Sequence, residues 1–96
     1  MEKTHQEEAR SQLAELLALL RKASAVPALQ EAVDIGEQLD RAISAFHMEG
    51  IRFRMFALGR ILHRPELQAS AEALDRFEAV RRSLEAGGFH TRSVSH

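Results

Sequence analysis

Glu49 is the single acid in residues 41–64, a stretch that also carries Arg41, Arg52, Arg54, Arg60 and Arg64. A buried acid in such surroundings can serve as a general base. One helical turn from Arg52 and close to Phe53, it more simply forms a salt bridge, to Arg52 or to an arginine of a second copy, and that is the reading adopted. Arg52, Arg54, Arg60 and Arg64, with phenylalanines between them, have the ingredients of an anion or nucleic-acid surface, since Arg tracks phosphates and aromatic rings stack on bases. On a helix, however, Arg52 and Arg54 point to different sides, so one chain assembles no broad basic face. Nucleic-acid binding through the paired arginines of a dimer is therefore the alternative reading, and protein–protein contact the favoured one.

Five histidines raise the question of a metal. None is paired with another at the i, i+4 spacing that clamps a metal on one helix face. Glu2 to His5 is the only Glu-x-x-His, without the second copy that a carboxylate-bridged di-metal bundle requires. The chain has no cysteine, which excludes disulfide scaffolds, zinc-thiolate sites and thiol catalysis. No Ser/His/Asp grouping and no glycine-rich phosphate loop is present. The sequence is accordingly read as non-enzymatic, with no cofactor and no metal. Met48 and Met55, beside Ile51, suit a plastic groove for a partner helix, although methionines so placed more often fill a core.

The elements that would position these residues are helical. Val, Ile and Thr are sparse while Ala, Leu, Glu and Arg abound, which favours helix over sheet. Thr4 and Glu7 have capping-box spacing, followed by the stripe Ala9, Leu13, Leu16, Leu17, Leu20 and Ala23. Ser24 to Pro27 breaks the chain. Pro27 then suits the first turn of a second helix, which the apolar spacing carries to about residue 64, some 37 residues or about 55 Å at 1.5 Å per residue. Two stripes run along it. One passes through Leu39, Ile43, Phe46, Gly50, Phe53 and Ala57, the other through Met48, Ile51, Met55, Leu58 and Leu62. Because both stay in phase across Gly50, the helix is read as continuous; the alternative is a four-helix bundle broken at Gly50, where glycine would cap a helix end. Pro65 and Glu66 open a final helix with Leu67, Ala71, Leu74, Phe77, Val80 or Arg81, and Leu84 on its face, and Gly87-Gly88 ends it.

The fold class expected is thus all-α, a single domain over residues 1–96. It has three antiparallel helices, a long central one (about 27–64), and flexible tails at 1–3 and 89–96, with Phe89 folding back over the bundle's end. Such a rod, with a shorter helix folded against each half, cannot cover two apolar stripes. A second copy would, packing the long helices across a two-fold axis. Leu39, Ile43, Phe46, Gly50, Phe53 and Ala57 form the expected self-association face, with Gly36, Gly50 and Ala57 small enough for close approach. The charge is unevenly spread: net −4 over residues 1–40, +4 over 41–64 and −1 over 65–96, so the acidic first helix and the Arg-rich middle can complement each other. Eleven of the thirteen basic residues are Arg, a bias expected of a GC-rich bacterial genome. No apolar run approaches a membrane span and the N-terminus is polar, which leads to the expectation of a cytoplasmic protein that does not enter membranes. The function read from all this is a small, self-associating interaction or scaffold module.

Overall fold

The computed structural model of the chain describes residues 4–23, 27–67 and 69–89. Four α-helices account for most of them: α1 (His5–Lys22), α2 (Pro27–Ser44), α3 (Met48–Leu62) and α4 (Ala71–Ala86), with a single 3₁₀ turn at Pro65–Leu67. Of the expected flexible tails, 1–3 and 89–96, residues 1–3 and 90–96 lie outside the described residues, as do Ser24 to Val26 of the expected first break; Phe89 is described and is buried against the core.

The helix starts follow from local hydrogen bonding. Thr4 closes a full capping box: the Glu7 N–H donates to Thr4 Oγ1 at 3.1 Å and the Thr4 N–H donates to Glu7 Oε1 at 2.9 Å. Two otherwise orphaned donors are satisfied there. Ser70 caps α4 with a single bond, accepting from the Ala73 N–H at 3.1 Å, so the last helix begins six residues after Pro65 rather than at it.

The central segment is two helices, and the four-helix arrangement is the one the chain adopts. The break falls at Ala45–His47, just ahead of Gly50, which lies inside the first turn of α3. Its geometry is a C-terminal cap: the Phe46 N–H bonds the Ile43 carbonyl at 3.1 Å and the His47 N–H bonds that of Ala42 at 2.9 Å. Phe46 takes φ 54°, the left-handed conformation that this cap requires and that glycine usually supplies. The same bond pattern closes α4, where Gly88 (φ 89°) occupies the left-handed position. There the Phe89 N–H returns to the Leu84 carbonyl at 2.9 Å and the Gly88 N–H to Glu85 at 3.0 Å.

Neighbouring helices are antiparallel, as their cross-links show. Gln6 and Arg10 of α1 reach Ile43 and Asp40 near the end of α2. Arg64, just past α3, approaches Glu31 near the start of α2 at 4.0 Å. Arg76, in the first half of α4, meets Gln12 and Glu15 of α1. Helix α1 therefore packs on both α2 and α4, and α2 also packs on α3, whereas α3 and α4 share far less contact. The molecule measures 38 × 35 × 21 Å with a radius of gyration of 12.6 Å, close to the roughly 12.5 Å of a globular chain this long and far from a 55 Å rod.

One core fills the bundle. Leu13 and Leu16 of α1, Leu39 and Ile43 of α2, Ile51, Met55 and Leu58 of α3, and Phe77 and Leu84 of α4 are all fully buried in it. Burying each such side chain stabilises the fold by about 1.5–3 kcal/mol. Two glycines set helix spacing. A Cβ at Gly36 would collide with a Leu17 methyl of α1, and one at Gly59 would stand 3.0 Å from the Phe77 ring of α4.

Candidate functional site

Which of the two central stripes faces inward is decided by the turn at Phe46. In α2 the first stripe goes in, so Leu39 and Ile43 belong to the chain's own core. Once the chain has reversed, it is the second stripe that goes in: Ile51, Met55, Leu58 and Leu62 are buried, while Met48 at the helix start stays 40% exposed. The remainder of the first stripe is turned outward. Phe46 is 60% exposed and Phe53 61%; Gly50 and Ala57 are half-buried. Of the residues expected to meet a second copy, then, Leu39 and Ile43 are out of reach unless the bundle opens. Gly36 is also taken, by Leu17. Gly50 is crowded within its own chain, where the His47 ring and Ala42 occupy the space a side chain would need.

Phe56, which lies on neither stripe, is 45% exposed. At 100° per residue it lies beside Phe53, with Glu49 and Arg60, on the side of α3 opposite Met55 and Leu58. The signal was available in the sequence as the spacing Glu49, Phe53, Phe56, Arg60. Phe53 stands as a ridge between two hollows. One is lined by Gln38, Arg41, Ala42, Ala45, His47, Glu49, Gly50, Phe53 and Arg54, between α2 and α3. The other is formed by Glu49, Arg52, Phe53 and Phe56 alone.

The arginines of this face do not converge. Arg54 lies over the Phe53 ring, 5.1 Å from guanidinium carbon to centroid, and Arg60 lies over Phe56 at 5.7 Å. Arg52 borders the smaller hollow, and Arg64 leans toward Glu31. Glu49, Arg52, Arg54 and Arg60 form no ion pair among the described residues. Of the acids on α1, Glu15 goes to Arg76 of α4 rather than to the Arg-rich middle. Arg10 is joined to Asp40 at 2.8 Å; that hydrogen bond, followed by the carboxylate's charge, raises the Arg10 pKa from its ordinary value.

His47 precedes α3 without a side-chain capping bond, and His63 bonds the Gly59 carbonyl through Nδ1 at 2.8 Å. His90 and His96 lie outside the described residues. Among the described residues no three of His, Asp and Glu gather into a metal-holding group, and no helix is long and apolar enough to cross a membrane. Phe46 does find one partner within the chain, stacking on Phe89 with centroids 6.0 Å apart and planes 27° from parallel.

Comparison of the chain with protein-family models, with curated proteins and with solved structures found no match.

Proposed function

We propose that this chain is a small helical protein–protein interaction module that self-associates through the outward face of α3, acting by contact rather than by catalysis, and that it works in the bacterial cytoplasm. The observation that carries the reading is the exposure of Phe53 and Phe56 on the helix side opposite the core, with Phe46 and Met48 also exposed at the α2–α3 turn. Large aromatic residues in water cost free energy that a partner surface recovers, and they dominate binding hot spots when buried at the centre of an interface.

The test is solution mass. Wild-type protein is expected to show a concentration-dependent shift from one chain to two in sedimentation velocity or light scattering. Phe53→Glu is expected to hold it at one chain, while Arg82→Glu, on an exposed position of α4, leaves the shift intact. A mass of one chain at every concentration, or equal behaviour of the two variants, overturns the reading.

The second reading, a nucleic-acid-binding regulator, draws support from the excess of arginine over acid on α3. Dispersal of Arg52, Arg54 and Arg60 around the helix, with two of them lying over phenylalanine rings, weighs against it. Binding to duplex or single-stranded DNA that weakens steeply with salt would favour it over the first.

A further inference from the structure

The outward face of α3 is nearly palindromic. Glu49, Phe53, Phe56 and Arg60 follow one another at intervals of four, three and four residues, so reversing the helix exchanges the two phenylalanines and swaps the acid for the base. The two ends of the stripe are about 16 Å apart along the axis. We infer that the occupant of this face is a second copy of the chain, its α3 running antiparallel about a two-fold axis that passes between Arg54 and Met55. This inference rests on the self-association proposed above and specifies its geometry.

Three observations converge on that arrangement. In this register Phe53 faces Phe56 of the other copy twice over, so both exposed rings of each α3 are covered by one contact. Glu49 faces Arg60 of the other copy at each end, and neither has an ionic partner within its own chain among the described residues. The smaller hollow is bounded by Glu49, Arg52, Phe53 and Phe56, positions i, i+3, i+4 and i+7. Four residues so spaced make the hole that receives a single knob from a facing helix, and the position opposite its centre is Phe56 of the second copy. A parallel arrangement would instead set Glu49 against Glu49 and Arg60 against Arg60, which like-charge repulsion disfavours.

Charge reversal tests the register. Glu49→Arg and Arg60→Glu are each expected to weaken self-association by about tenfold or more, because each places like charges at both ends of the two-fold contact. Mixed in equal amounts, the two variants are expected to associate at least as tightly as wild type, since the mixed pair restores opposite charges at both ends. Circular dichroism of each variant checks that the exposed substitutions leave the bundle folded. If Phe53→Glu abolishes association while both charge reversals leave it unchanged, the face is right and the antiparallel register is overturned. If wild-type protein does not associate at all, the self-association reading itself fails. Recovery on mixing, after loss in each variant alone, is the outcome that the inference requires.

Discussion

Phe46 is the residue on which the fold turns. A left-handed backbone costs an L-amino acid about 1–2 kcal/mol, and a bulky residue there is an outlier that calls for compensation. Part of it comes from the stack on Phe89, which at this exposure is worth about 0.5–1 kcal/mol. Phe46→Gly and Phe46→Ala both delete the ring and differ only in backbone freedom. The glycine variant is therefore expected to be the more stable by about 1 kcal/mol, the reverse of the order inside a helix, as thermal unfolding of dilute protein would show. This residue also marks where the sequence misleads. Phenylalanine gives no sign of a left-handed position, whereas Gly50, which does, sits harmlessly in a helical turn. Phe53 is exposed as the first stripe implied, but Leu39 and Ile43 were not legible as core because they share its periodicity.

At the scale of elements, the capping box at Thr4 and the glycine pair at 87–88 could be read directly, since both signals lie within a few residues of the bonds they form. The α2–α3 break could not. Leu39 and Ile43 fall in phase with Phe53 across the turn, and only the three-dimensional reversal assigns one group to the core and the other to solvent. The start of α4 was missed because Pro65 is a strong helix-opening signal, and the 3₁₀ turn at Pro65–Leu67 uses it for something shorter; Ser70 ahead of Ala71 and Glu72 was the weaker, correct cue. Helix spacing gives the sharpest prediction at this scale. Gly36→Ala thrusts a methyl into the end of the Leu17 side chain, which is buried and must repack to admit it, so a loss of about 1–3 kcal/mol is expected. In a domain of this size each kcal/mol lowers the melting temperature by about 4–8 °C. Gly50→Ala meets chiefly the exposed His47 ring, which can rotate away. A neutral change, or a gain of about 0.5–1 kcal/mol from helix propensity, is expected in the same measurement.

For the whole molecule, closing four helices around one core removes the main reason the sequence offered for a second copy, an uncovered rod. What remains is the outward face of α3, a helix that packs mainly on α2. Association through that face would combine aromatic burial with two pairs of opposite charges, and these respond differently to salt. The Debye length falls from about 8 Å at 0.15 M to about 3 Å at 1 M, so added salt is expected to weaken the dimer by a few-fold through its ion pairs without abolishing it. Dissociation constants measured across a sodium chloride series would check this. A steep loss of association would mean that charge rather than the phenylalanines holds the copies together.

The stack of Phe46 on Phe89 ties the bend between α2 and α3 to the terminus of α4, two places 43 residues apart in the chain. Each ring sits at a helix end, where unwinding begins. Should the last turn of α4 loosen, Phe89 withdraws and leaves the strained bend without its brace. The bend from which the outward aromatic face departs is therefore braced from the end of α4 as well as by its own backbone bonds.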